Sequence, residues 1–207
     1  MKRKQAIEKL ASIKLLELSE EERAEQLDIM TFENWEESKD WNLLPKEIQN
    51  EFVEEKLYEN PNSKKYDQVL MVWLKDSMRA ISNHYLCENL GIDSIEGSPI
   101  KLYACPCCGS RTIDERAEYD ICKVCWWEDN GQDNEHSEKT YGVNYGISLT
   151  KGRSNFLKYG IYDPTREDLI KIKEPISKYD RGREFEIIGE YIIEKGSDWK
   201  RTLSDKF

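Results

Sequence analysis

The sequence predicts an α+β chain: a mostly helical N-terminal region, then a small cysteine-centred domain, then C-terminal helices. Three observations carry that expectation. Residues 1–98 divide into amphipathic segments with helix start and stop signals. Two Cys-x-x-Cys pairs, Cys105/Cys108 and Cys122/Cys125, lie 13 residues apart, beyond a Gly97-Ser98-Pro99 break. Gly160 and Gly196 each close a further stretch that reads as helical. The expected boundaries are 1–98, 99–163 and 164–207.

In the first region, Ala6, Ile7, Leu10, Ile13, Leu15 and Leu16 fall on roughly one face of a helix. Ser19 and Glu22 have capping-box spacing, which starts a second helix running from Glu20 to about Ile29. Residues 31–42, with Trp35 and Trp41, read as a loop or short turn. Pro45 suits the first position of a helix continuing over 47–55, with Ile48, Phe52 and Val53 on one face. Asn60-Pro61-Asn62-Ser63 is a break. The apolar run Val69–Leu74 fits a buried helix or a buried strand, and Met78–Ile81 is equally open. A helix over Asn83–Leu90 ends at Gly91.

Beyond the cysteines, Thr150–Tyr159 reads as a helix ended by Gly160. Thr165 and Asp168 have the spacing to start a short helix reaching Ile172, and Glu184–Lys195 reads as a last helix stopped by Gly196.

The chain carries 35% charged and 38% hydrophobic residues, and its 11% aromatics argue against disorder. No stretch approaches the roughly 20 apolar residues that span a bilayer. The basic start Met1-Lys2-Arg3-Lys4 is not followed by an apolar signal core, so a cytoplasmic, membrane-free protein is expected. Six cysteines in that setting favour metal binding over disulfides.

The spacing of the two pairs resembles that of a zinc ribbon. A Cys-x-x-Cys turn points both sulfurs one way and offers them backbone N–H groups. Gly109 supplies a positive φ after the first turn. Two such turns face to face give a closed tetrahedral set of four thiolates, Cys105, Cys108, Cys122 and Cys125. One structural Zn2+ is the expected occupant, with iron as the alternative for the same donors. Cys107 is left over as a half-buried thiol beside the site that could stand in for Cys105 or Cys108. Cys87 reads as core packing, His136 as a solvated loop residue and His84 as a partly buried surface residue.

Cys105-Pro106-Cys107-Cys108-Gly109, Tyr119-Asp120-Ile121-Cys122 and Cys125-Trp126-Trp127-Glu128-Asp129-Asn130-Gly131-Gln132-Asp133 resemble the cysteine-rich CPCC family of bacterial proteins. Leu149–Phe156, ahead of Tyr159-Gly160, is similar to the helix that ends the family's domain. The N-terminal stretches around Leu18–Arg23 and Leu43–Gln49 resemble an extension found in some members. Lys123 stands where a proline is common, and Trp126 where phenylalanine is more usual. The resemblance implies a small zinc-ribbon-like domain and no defined reaction. Some members resemble companions of secreted toxins, which implies an immunity role.

Between Ile113 and Lys139 there are nine acids against three bases. A nucleic-acid-binding ribbon gathers Lys and Arg near its site, so this balance argues against DNA or RNA contact. Trp126 and Trp127 follow the last cysteine. One exposed tryptophan with an acidic rim would form a protein-binding hot spot, comprising Trp126, Trp127, Glu128, Asp129 and Asp133. The six residues Glu128–Asp133 also faintly resemble a calcium loop but lack its terminal glutamate. With a net charge of −10, the expected partner is a basic protein. The expectation is therefore a non-enzymatic, zinc-stabilised protein-binding module, in its sharpest form an immunity protein neutralising a basic bacterial toxin. The alternative is a zinc-ribbon nucleic-acid-binding or transcription-linked protein. A metalloenzyme would need an open metal position, which four cysteines close.

Overall fold

A computed structural model describes residues 1–32, 35, 38–57 and 59–203. The expected loop at 31–42 and the expected tail therefore fall partly outside the described residues. The described chain is α+β and divides into two compact units, residues 1–79 with 86–98 and residues 80–85 with 99–207. Among the described residues no helix is long and apolar enough to cross a membrane.

The first unit is helical. α1 (Arg3–Glu17) buries Ala6, Leu10 and Ala11, a narrower stripe than the sequence suggests, while Leu16 is 88% exposed. α2 (Glu20–Thr31) starts at the expected box, with Glu22 N–H donating to Ser19 Oγ and Ser19 N–H to Glu22 Oε2. Those two bonds satisfy donors that a helix start leaves open. In α3 (Lys46–Val53), Ile48 and Phe52 are buried as expected, but Val53 faces solvent. The next residue along a helix is rotated about 100°, which carries Val53 off the face that Ile48 and Phe52 share.

The ambiguous run at 69–74 is helical, in α4 (Asp67–Ser77), with Val69, Leu70, Val72 and Leu74 buried. Arg3 reaches the end of α4, where its Nη2 donates to the Met78 and Arg79 carbonyls at 3.3 and 2.9 Å. Met78–Ile81 is not helical, and Ile81 instead forms an isolated antiparallel bridge with Tyr179. The core gathers Leu27, Met30, Trp41, Ile48, Phe52, Tyr66, Val69, Leu70 and Val72. Phe52 lies edge-on to Trp41 at 5.4 Å between centroids. Tyr66 donates its hydroxyl to the buried Glu51 carboxylate at 2.6 Å, and Lys65 pairs with the same carboxylate. α5 spans Asn83–Leu90, and Gly91 follows at φ +62°.

In the second unit, β1 (Tyr103–Ala104) and β2 (Arg111–Ile113) pair antiparallel across the first cysteine turn. α6 (Leu149–Tyr159) is capped by Ser148, whose Oγ accepts from Lys151 N–H, and ends at Gly160 with φ +74°. α7 (Glu167–Ile172) begins later than expected. Thr165 donates both its N–H and its hydroxyl to Asp163 Oδ1. That engagement points Thr165 back up the chain and leaves Arg166 at the cap position.

The expected last helix over 184–195 does not form. The segment is a three-stranded antiparallel meander of β3 (Phe185–Ile188), β4 (Tyr191–Glu194) and β5 (Lys200–Thr202). Phe185 is opposite Glu194 and Ile188 is opposite Tyr191. The reason is local chemistry: Gly189 and Glu190 make a two-residue hairpin turn, with Gly189 at φ +58°. Four β-branched isoleucines flank that turn, and such residues suit strands better than helices. Phe185, Ile192 and Trp199 form the cluster on this sheet, joined by Leu157 of α6.

Candidate metal centre

The first cysteine turn is closed by backbone bonds. Gly109 N–H donates to Cys105 O at 2.9 Å, and Cys105 N–H to Ser110 O at 2.8 Å. Gly109 has φ +81°. A β-carbon there would sit 2.0 Å from the Arg183 carbonyl oxygen. In the second turn, Trp126 N–H donates to Cys122 O at 2.7 Å and Cys122 N–H to Trp127 O at 2.9 Å. Trp126 stands where Gly109 stands in the first turn, and it too is left-handed, at φ +66°. A side chain is rarely placed there, so the second turn holds local strain of about 1 kcal/mol.

The two turns bring Cys105, Cys108, Cys122 and Cys125 together, with all four sulfurs within 4.8 Å of one another and every residue buried. Cys105 and Cys125 sulfurs are 3.6 Å apart, as are those of Cys108 and Cys122. Four sulfurs about 2.3 Å from a shared tetrahedral metal lie about 3.8 Å from each other. The donor set and its spacing therefore fit a single metal ion. Ser110 N–H points at Cys108 Sγ at 3.5 Å, and the Thr112 hydroxyl donates to Cys122 Sγ at 3.0 Å. Burial pushes the Cys105 and Cys125 thiols well up. Burial opposes ionisation at Cys122 too, but hydrogen bonds from Cys105, Cys108, Cys125 and Thr112 outweigh it and hold that thiol well down. Four ionised sulfurs in a solvent-free space need a cation among them.

The remaining two cysteines are not among these four sulfurs. Cys107 is fully buried and Cys87 is half-buried. His136 is exposed.

The acidic aromatic stretch is arranged differently from the expected hot spot. Trp127 is fully buried, edge-on to Tyr162 at 6.0 Å, and Trp126 is half-buried. Asp129 is buried as well: its carboxylate accepts from Arg116 Nε at 2.6 Å and from the N–H groups of Ala117 and Gly131. Asp133 accepts from Arg116 and Arg183, with Arg153 Nη2 3.6 Å away. Glu128 binds the Asn144 side chain through its own backbone, N–H to Oδ1 and Nδ2 to O, both at 3.0 Å. Trp127 and Asp129 thus offer no surface, and Asp133 is neutralised from within. Part of the acid excess is matched from outside the stretch, because Arg153 and Arg183 join Arg116 in facing Asp133.

Arg153, Arg183 and Glu194 are the residues that sequence reasoning missed. Arg153 is fully buried on α6. Its Nε donates to Pro106 O at 2.8 Å, and its Nη1 to Asn134 Oδ1 at 2.8 Å. The guanidinium lies over the Phe185 and Trp199 rings, 4.2 and 4.3 Å from their centroids. Burial, reinforced by the Arg183 charge, lowers Arg153 to about 10. Arg183 pairs with Glu194 at 2.6 Å, and Asn134 Nδ2 donates to the same carboxylate. The signal was present in outline: Arg153 sits four residues after Leu149 and three before Phe156, on the apolar face of its helix.

Fold and site together define a domain built around a four-cysteine group suited to a metal ion. A family model described as cysteine-rich CPCC matches residues 103–177, so that segment is similar to this family. The match includes all four clustered cysteines and stops short of Arg183, which lies against the first cysteine turn, and of the C-terminal sheet. No curated protein and no solved structure matches the chain.

Proposed function

We propose that this chain is a non-enzymatic protein-binding module stabilised by one structural zinc ion. The observation that carries the reading is the closed, fully buried set of Cys105, Cys108, Cys122 and Cys125. Four thiolates fill a tetrahedral shell and leave no position for a substrate. Zinc supplies no redox chemistry there, and its binding energy is in effect folding energy. Thr112 and the Ser110 N–H orient two of the sulfurs from outside.

Support for a protein partner comes from charge and exposure. The net charge is −10. Once Asp129 and Asp133 are set aside as internally paired, Glu115, Glu118 and Tyr119 remain exposed on the same stretch, with Ile121 beside them. That surface suits a basic protein, with encounter steered by charge and weakened by salt. The sharpest form of the reading is an immunity protein that covers a basic toxin.

Metal analysis of the full chain tests the first half: one zinc per chain is expected, and Cys122→Ser loses the metal and melts the second unit. A Cys122→Ser chain that keeps its metal and its melting temperature overturns the assignment. Co-expression with the product of a neighbouring gene tests the sharpest form. A complex and protection are expected, and finding neither removes the immunity role.

A further inference from the structure

A pocket of about 350 Å³ opens beside α6, a volume within the range of small-molecule sites. The helix lines it with Ser148, Lys151, Asn155 and Tyr159. Spacings of three and four residues put these four on one helical face. Asn155 is only 6% exposed. Its Nδ2 donates to Tyr162 O at 2.7 Å, which fixes the amide and turns Oδ1 the other way. Oδ1 has no partner among the described residues and is not sealed in by protein, so it opens on the pocket. Ser148 is buried too. Its Oγ accepts from Lys151 N–H at 3.2 Å, and its hydroxyl hydrogen stays free to donate. Opposite charges flank these groups. The Lys151 ammonium pairs with no carboxylate among the described residues, Asp163 included. Asp163 follows Tyr162 in the chain, so the Asn155–Tyr162 bond holds it at the Asn155 end. Its Oδ1 accepts from Thr165 N–H and hydroxyl at 3.0 and 2.7 Å, which leaves Oδ2 open. Ile147, Pro164 and Tyr159 add apolar surface.

We propose that this pocket binds a small zwitterion, an aliphatic chain with a carboxylate at one end and an ammonium at the other. The carboxylate meets Lys151 and the Ser148 hydroxyl, where the positive end of α6 adds to the attraction. The ammonium meets Asp163 Oδ2 and Asn155 Oδ1, which can only accept. The aliphatic chain lies on Ile147, Pro164 and Tyr159. Seven helical residues separate Ser148 from Asn155, roughly 10 Å along the axis. The two charges of the ligand must therefore lie several ångströms apart, and a compact α-amino acid such as glycine cannot reach both ends. The inference is independent of which ion the four cysteines hold.

The test is calorimetric titration of the full chain with ε-aminocaproate. One site per chain is expected. Hexylamine and caproate each keep one charge of that probe, and each should bind about tenfold more weakly or worse. Glycine should not bind. Lys151→Gln and Asp163→Asn should each weaken ε-aminocaproate about tenfold. Lys151→Gln should also no longer distinguish ε-aminocaproate from hexylamine, and Asp163→Asn should no longer distinguish it from caproate. A general loss of structure would not produce those two opposite losses of preference. The comparison of the three probes on the unaltered chain stands even if a variant fails to fold. No binding of ε-aminocaproate overturns the proposal. So does equal binding of glycine or of the singly charged probes, or binding that neither substitution weakens.

Discussion

Gly109→Ala tests how the C-terminal sheet is fastened to the cysteine turns. The glycine has φ +81°, and a β-carbon would lie 2.0 Å from Arg183 O and 2.8 Å from the same carbonyl carbon. Backbone cannot step aside as a flexible side chain can, so the 182–183 segment has to move away. Two bonds to the Gly109 carbonyl then fail, from Gly182 N–H at 2.8 Å and Arg183 N–H at 3.3 Å. Each contributes about 1 kcal/mol, and the left-handed conformation costs alanine about 1 kcal/mol more. The expected loss is about 3 kcal/mol, which for a unit of this size lowers the melting temperature by roughly 10 °C. The assay is urea denaturation of the metal-loaded chain, followed by tryptophan fluorescence. Gly189→Ala is the control: its φ is +58° but nothing lies within 4 Å of the added carbon, so only the conformational cost of about 1 kcal/mol is expected. If the two variants lose equal stability, the close backbone approach is not what holds the sheet to the turn.

Two further outcomes are expected. Asp133 is held below its ordinary 3.8, because Arg183, the Asn134 N–H and Arg116 together outweigh its burial. Glu194 is held below its ordinary 4.5, first by Arg183. Groups lowered in this way contribute fully above their ordinary values and lose that contribution as pH falls through the lowered ones. The stability difference between the unaltered chain and Asp133→Asn should therefore be constant near neutrality and shrink below about pH 4. Protonation of metal-bound sulfurs affects both chains and cancels in that difference, so a difference independent of pH would contradict the pairing. In the first unit, Tyr66→Phe removes the donor 2.6 Å from the buried Glu51 carboxylate. A loss of about 1–3 kcal/mol is expected in urea denaturation, with metal content unchanged.

The stretch from 113 to 139 shows why residues can be identified correctly and still be misjudged. Its acid excess was legible, but the exposed acids include Glu115 and Glu118 and not the expected Asp129 and Asp133. That Asp129 faces Arg116 and Asp133 faces Arg183 was not legible, since the second pairing joins positions fifty residues apart. The same limit applies to α4. The run 69–74 has too few residues for periodicity to decide, and packing against α1 and α2 is what makes it a helix.

The sequence by itself determined the group of four cysteines, the helix start at Ser19 and the stop at Gly160. Each depends on residues a few positions apart, whose chemistry acts locally whatever the rest of the chain does. Tertiary structure decided that Arg153 is buried over Phe185 and Trp199, that Gly109 lies under the Arg183 backbone, and that 185–202 is a sheet packed on α6. Those outcomes arise from long-range burial. A charge enters the interior only where distant partners converge on it, and a backbone approaches closely only where a missing side chain leaves room.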